Sequence, residues 1–521
     1  MKHPSFKSCG LFAACAAVAM SLPLFAEIEM GTPFSDGAVL QRGMKVPVWG
    51  TRSPAEGSVT VEFAGQTKTA GVDATTGKWR IELDAMEASK ERRTMTVSSG
   101  ADKVEIGDVL VGEVWFASGQ SNMECPIWGP NTRYRDGKGA MMIAMTRRPF
   151  IRYAKNPKHW SAEPRLGWKA AWRDFSPESF AQTADCSLSA VAFYYALELY
   201  GALDVPIGIV DSSWGGTNID AWTPRSGYEG CDESIKTTAE YRVTDKWDAK
   251  TDKIGPISKS NQQPTVLWNG MVAAWTPFAI RGFIWYQGCH NNDEANLYCA
   301  KLHAPYSGWS RDFENPALKH YIVQLAPWKH NWLGICMAQN KYVSEERNAA
   351  IAVTADCGNY YDIHPNDKEI VAKRLALHAL RRDYGFDIPE DDSPVLKSAV
   401  SADGKVTLSF EHARNWYVYS PDRSRDAAFE LAGEDGAWQS AKIVNYRKTR
   451  DGKGKETETD FIDGAEIVVA SDKVERPVKV RYMGRPRTSG TLYNEASLPL
   501  GPFEAEAEEP VGSRSIRADE P

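Results

Sequence analysis

The chain has 521 residues, more than one hydrophobic core usually serves, so two or three domains are expected. Its 42% hydrophobic and 25% charged residues are those of an ordinary globular protein. A formal charge of −7, with pI near 5.8 and no long basic run, argues against nucleic acid as a partner.

Residues 1–26 read as an export signal: Lys2 and Lys7 precede the apolar stretch GLFAACAAVAMSLPLFA, which ends at Ala26. Cleavage there gives an exported, periplasmic or secreted protein. No later apolar run is long enough to span a membrane. Seven cysteines follow (Cys125, Cys186, Cys231, Cys289, Cys299, Cys336 and Cys357), an odd, scattered set with no CxxC metal spacing and no dense disulfide framework.

Residues 27–106 are expected to form a β domain. VPVWG (46–50), SVTVEFAG (58–65), KWRIELD (78–84) and TMTVSS (94–99) are short β-branched or aromatic runs separated by turn residues, the spacing of a small sandwich.

Residues 107–385 change character. The apolar run from Val109 to Ala117 predicts a buried strand that breaks into Ser118-Gly119-Gln120-Ser121-Asn122-Met123. Residues 126–185, rich in Trp, Pro and Arg, predict an insertion of functional loops. SLSAVAFYYALELYGA (187–202) predicts a helix and PIGIVDSS (206–213) a strand followed by the loop Trp214-Gly215-Gly216-Thr217. Val266 to Phe278 is expected to be helical. AIRGFIWYQG (279–288), HYIVQLAP (320–327) and AAIAVTAD (349–356) are further strands, and DKEIVAKRLALHALRRDY (367–384) is an amphipathic helix. This alternation predicts an α/β fold, a mainly parallel sheet with helices on both faces. Ser121, Gly215/Gly216, Asn291 and His364 then each follow the carboxyl end of a different strand, the edge where such sheets bind ligands.

Residues 386–507 return to β, with KVTLSFEH (405–412), AEIVVAS (465–471) and VKVRYMG (478–484). The acidic tail 508–521 has the composition of a disordered segment.

A serine hydroxyl becomes nucleophilic when a base takes its proton. Among nine histidines, His364 in Tyr361-Asp362-Ile363-His364-Pro365 is the best placed, in a loop between the last strand and the last helix. Donors for an oxyanion are available from the Ser121 N–H, an N–H of the Gly215-Gly216 loop and the Asn291 amide. Gln120, Trp214 and Gln287, beside these turns, are expected to contact substrate.

The blocks SGQSNM, DSSWGGTNIDAW (211–222), PTVLWNGMVAAW…RGFIWYQG (264–288) and DIHPNDKEIVAKRLA (362–376), with FSDGAVLQRGMKVPVWG (34–50), resemble the sialate O-acetylesterase family of the SGNH-hydrolase superfamily. The resemblance implies an SGNH-like sheet flanked by two β-sandwich-like domains. It also implies an exported esterase that acts on O-acetylated sialic acid or another acetylated glycan, with no metal or organic cofactor. Ser121 is the implied nucleophile, His364 the base, and Gly216 (or Gly215) with Asn291 the oxyanion hole.

The chain departs from the pattern in two places. Where the family's block reads WYQGESN, this chain has Cys289 and His290 before Asn291, which makes His290 a lesser rival for the base. The superfamily's D-x-x-H would place an acid at Tyr361; Asp362, Asp356 or a backbone carbonyl is left to orient His364. Acetylxylan or another acetylated polysaccharide is the alternative substrate, and a non-catalytic carbohydrate-binding protein is the reading from a different class.

Overall fold

The computed structural model describes residues 27–129, 135–181, 188–231, 260–419, 428–450, 454–486 and 492–509, with a short strand pair at Trp247–Asp248 and Lys253–Ile254. The expected export signal at 1–26, Cys186 and nearly all of the acidic tail lie outside the described residues.

One strand organises the molecule. Strand β1, Asp102–Gly119, is 18 residues long and crosses the composition boundary at 106/107 without a break. Its first half is partly exposed, and from Val109 onward every residue is buried. The first half therefore suits a sheet with one wet face, and the second half the centre of a sheet covered on both sides. Accordingly, Ser58–Phe63, Gln66–Gly71 and Ser89–Ser99 extend antiparallel from the early part of β1. A three-stranded sheet of Glu27–Met30, Val46–Ser53 and Lys78–Leu83 completes the amino-terminal β region.

The later part of β1 is joined by β2 (Arg148–Lys155), β3 (Trp172–Phe175), β4 (Ile207–Ser213), β5 (Gly282–Tyr286), β6 (Lys319–Val323) and β7 (Ala349–Ala352). Their order is β3-β2-β4-β1-β5-β6-β7; all neighbours are parallel except the edge pair β3/β2. The sheet is thus mixed rather than purely parallel. Two of its strands come from residues 126–185, which were expected to supply loops.

Neighbouring residues of a strand point to opposite faces, and β1 shows that both faces are covered. Trp115 packs on Tyr195 of helix α1 (Ala190–Leu203), and its indole N–H donates to the Tyr384 hydroxyl at 3.0 Å. Phe116, on the other face, meets Trp309 of helix α2 (Ala295–Asp312) together with Trp275. Helices α3 (Leu333–Glu345) and α4 (Glu369–Arg382) complete the α/β part. The segment expected to be one helix across Val266–Phe278 is instead two short helical turns, Trp268–Val272 and Ala273–Trp275. They stop before Thr276-Pro277, because a residue preceding proline is driven out of helical backbone.

The carboxy-terminal region is a seven-stranded antiparallel sheet with a smaller three-stranded one. It touches the α/β part through the Tyr493 hydroxyl, 3.3 Å from Asp356 Oδ2. Among the described residues no helix is long and apolar enough to cross a membrane. Cys125, Cys289, Cys299, Cys336 and Cys357 are free thiols.

Candidate active site

The chain leaves β1 on one side to build β2, β3 and β4, and returns on the other side to β5. The carboxyl end of β1 is therefore a topological switch point, where an α/β sheet opens a crevice. Register makes three strand ends level: Gly119 of β1 lies opposite Ser213 of β4 and Tyr286 of β5. The turns that follow, Gln120–Ser121, Trp214–Gly216 and Gln287–Asn291, are brought side by side.

Gly119 makes the turn out of β1 achievable. Its φ is +136°, and a Cβ there would sit 2.4 Å from the Tyr286 carbonyl oxygen, so no larger residue fits. Gln120 then donates its backbone N–H to that carbonyl at 3.0 Å, and Ser121 opens the helical turn Ser121–Glu124.

The histidine arrives from the loop between β7 and α4. His364 Nε2 lies 3.0 Å from Ser121 Oγ, and Nδ1 lies 3.2 Å from Asp362 Oδ1. The same carboxylate oxygen accepts the His364 backbone N–H at 3.0 Å. One oxygen thus fixes both the loop and the ring, and it favours the tautomer with a proton on Nδ1 and a lone pair facing the serine. Asp356 is elsewhere, in a paired contact with Arg374 at 2.7 Å through each carboxylate oxygen. His290 is exposed, and its backbone N–H donates to Gln120 Oε1 at 3.3 Å.

Burial lowers the His364 pKa below the ordinary histidine value, and the Lys368 charge lowers it further; Asp362 pulls the other way and loses. The imidazole is neutral near pH 7, the state a base requires. Lys368 is itself fully buried, and burial lowers its pKa. Its Nζ donates to Asn122 Oδ1 at 2.6 Å, while Asn122 Nδ2 donates to the Ile363 carbonyl at 3.0 Å. This relay ties the serine turn to the histidine loop. Sequence reasoning gave no role to Lys368 or Asn122, although both lie inside the SGQSNM and DIHPNDKE blocks.

The expected oxyanion donors are differently placed. A Cβ on Gly215 would stand 3.2 Å from Ser121 Cβ, so this loop does lie against the serine. The Gly215 N–H, however, donates to Glu124 Oε2, and Glu124 also pairs with Lys158. Gly215 is therefore committed, and Gly216, exposed with φ +72°, is the loop's remaining donor candidate. Asn291 is buried, with Oδ1 accepting from the Ile219 N–H at 3.1 Å and from Gln287 Nε2 at 2.7 Å. Its Nδ2 donates to Glu294 Oε2 at 2.8 Å, which uses one of the two amide protons.

Of the three residues expected to contact substrate, Trp214 alone keeps a partly exposed ring, with the Lys158 ammonium 5.8 Å from its centroid. Gln287 is fully buried: Nε2 donates to Thr217 O and Asn291 Oδ1, and Oε1 accepts the Tyr298 hydroxyl at 2.6 Å. Gln120, also buried, uses Oε1 to accept the Gly288 N–H at 3.2 Å as well as that of His290. Gln287 is thus spent inside the fold, whereas Gln120 braces the neighbouring turn through Oε1 alone. Among the described residues, no cluster of three His, Cys, Asp or Glu donors includes Asp362 or His364.

Known carbohydrate esterases resemble this chain in sequence and in fold. Residues 111–377 match the family model of carbohydrate esterases described as sialic acid-specific acetylesterase. The sialate O-acetylesterase of Homo sapiens is 26% identical over 409 residues, covering 70% of this chain and 74% of the human one. That of Mus musculus is 26% identical over 422 residues, covering 70% and 75%. Among solved structures, a carbohydrate acetylesterase from Xanthomonas citri superposes with a TM-score of 0.76 at 30% identity, covering 92% of this chain and 99% of that one.

Proposed function

Because the chain belongs to the sialic acid-specific acetylesterase family of carbohydrate esterases, we propose that it removes O-acetyl groups from sialic acids on glycans through an acetyl-enzyme on Ser121. The observation that carries this reading is the 3.0 Å contact between Ser121 Oγ and His364 Nε2. His364 takes the serine proton as the hydroxyl attacks the acetyl carbonyl, and Asp362 steadies the imidazolium that forms. The oxyanion is met by the Ser121 and Gly216 N–H groups and by the second Nδ2 proton of Asn291. His364 then protonates the departing sugar hydroxyl, and water, activated by the same ring, releases acetate and restores the serine. Every proton moves between Ser121, His364, the sugar and water.

The partly exposed Trp214 ring at the rim suits a sugar face. Export rests on the Lys2/Lys7 stretch with its apolar run to Ala26, and cell fractionation tests it. The central experiment compares acetate release by the wild type, Ser121→Ala and His364→Ala on p-nitrophenyl acetate, O-acetylated sialic acid and acetylated xylan. Loss of turnover in both variants, with sialate preferred, is expected. Full activity in either variant removes that residue from the mechanism, and preference for xylan overturns the substrate assignment alone.

A further inference from the structure

Helix α2 carries Cys299 and His303 four residues apart, which places both on one face. Glu345, the last residue of α3, reaches that face. Its Oε2 lies 3.3 Å from Cys299 Sγ and 3.1 Å from His303 Nε2, and the sulfur, the nitrogen and the carboxylate oxygen all lie within 4.8 Å of one another. The other oxygen, Oε1, is taken by Lys341, so Oε2 is the one turned toward the cysteine and histidine.

A tetrahedral zinc with a sulfur ligand at about 2.3 Å and nitrogen or oxygen ligands at about 2.1 Å has S···O and N···O edges of roughly 3.6 and 3.4 Å. The two measured edges fall short of these by only a few tenths of an ångström, which small side-chain rotations supply. Two other groupings of histidine with acids, His378/Asp391/Asp392 and Glu390/Asp392/His412, do not share this property. There Arg381 and Arg382 donate directly into Asp391 and Asp392, so guanidinium groups already occupy the place of a cation.

We propose that Cys299, His303 and Glu345 form a zinc-binding site that staples α2 to α3, with water in the fourth position. Binding forms Zn–S, Zn–N and Zn–O bonds, releases the thiol proton of Cys299 to solvent and leaves the remaining ring proton of His303 on Nδ1. Cysteine, histidine and carboxylate together suit this borderline-soft ion better than magnesium or calcium, which prefer all-oxygen shells. The site is separate from Ser121 and is not required for the esterase reaction. Its consequence is mechanical: α2 follows directly on the turn that carries Asn291 and Glu294.

The test uses the full chain, freed of any affinity tag and stripped with a chelator, titrated with Zn²⁺ by calorimetry and with Co²⁺ by absorption. Expected are one ion per chain, a thiolate-to-cobalt charge-transfer band with tetrahedral visible bands, and a higher melting temperature with Zn²⁺. Cys299→Ser should lose the charge-transfer band, and Glu345→Gln should weaken binding at least about tenfold, as expected for loss of a ligand or its partner. Esterase activity should be unchanged in both variants. No stoichiometric binding by the wild type overturns the proposal, as does an undiminished thiolate band in Cys299→Ser.

Discussion

Replacing Asp362 by asparagine isolates what the carboxylate charge does for His364. Asparagine keeps an oxygen for the His364 backbone N–H, so the loop retains its bond while the charge disappears. A pair of unit charges at the observed 3.2 Å is worth about 5 kcal/mol at an effective permittivity of about 20. The Asp362 and His364 side chains are 20% and 24% exposed, and solvent screening reduces the useful part to about 2–3 kcal/mol. That charge matters most once His364 has become an imidazolium, so the loss falls on the transition state. A fall in kcat of roughly 30- to 150-fold on p-nitrophenyl acetate is expected, with KM little changed. The pH profile adds a second signature. Asp362 raises the His364 pKa, so in Asp362→Asn the acid limb of kcat/KM should move to lower pH even as the plateau falls. Asp356→Asn is the control: it breaks the buried contact with Arg374 and should lower stability without moving that limb. If Asp362→Asn retains most of its kcat, or Asp356→Asn shifts the acid limb, the assignment of Asp362 as the orienting acid is refuted.

The buried Lys368 charge acts on His364 with the opposite sign, so Lys368→Met should raise the pH at which the acid limb falls, and activity at mildly acidic pH should drop first. A thermal melt run alongside separates this from loosening of the Asn122 relay. Gly215→Ala should lower kcat with little change in melting temperature, because the new methyl group would press on Ser121 and Glu124 rather than on the core. Glu113, fully buried between Arg42 and Arg281, should cost about 3–5 kcal/mol in urea denaturation when changed to glutamine, since two guanidinium groups lose their anion. Breaking the exposed Arg80–Glu314 pair with Arg80→Ala should cost less than about 1 kcal/mol in the same assay.

Ser121, Asp362 and His364 were legible because each sits in a short linear block directly after a buried strand, where local pattern and chemistry coincide. Gln287 has the same placement, and there it misleads. Its partners Thr217 and Tyr298 come from another turn and from α2, so nothing local shows that the amide is already spent. The commitment of Gly215 is hidden in the same way, because the accepting carboxylate belongs to Glu124 on a different strand's turn. The boundary near residue 106 was visible as a change of composition. That change records a change of surroundings along one continuous strand, which periodicity alone does not distinguish from a domain break. Strands β2 and β3 escaped notice because their short runs are embedded among Trp, Pro and Arg residues that read as loop.

The substitutions Cys289 and His290 bear on whether this turn can still serve an oxyanion. The contacts that shape it are made by the backbone N–H groups of Gly288 and His290 to Gln120, and by the Asn291 side chain to Ile219, Gln287 and Glu294. None of these bonds uses the Cys289 thiol, and His290 enters them through its backbone N–H. Burial holds the Cys289 thiol protonated, its pKa pushed up to about 12, so it adds no charge beside the serine. Beneath the turn, the buried Lys301 ammonium donates to both oxygens of Asp220, at 3.1 and 2.9 Å, and to Glu294 Oε2 at 2.9 Å. Asp220 follows the Gly215-Gly216 loop, and Glu294 holds Asn291, so one ammonium locks the two donor-bearing turns together. Burying such a triad costs desolvation energy and contributes little net stability. What it supplies is fixed geometry, and under the proposed mechanism donors set before the reaction need no reorganisation as charge develops on the oxygen. The architecture therefore places the demand for a particular side chain at Asn291, Glu294 and Lys301.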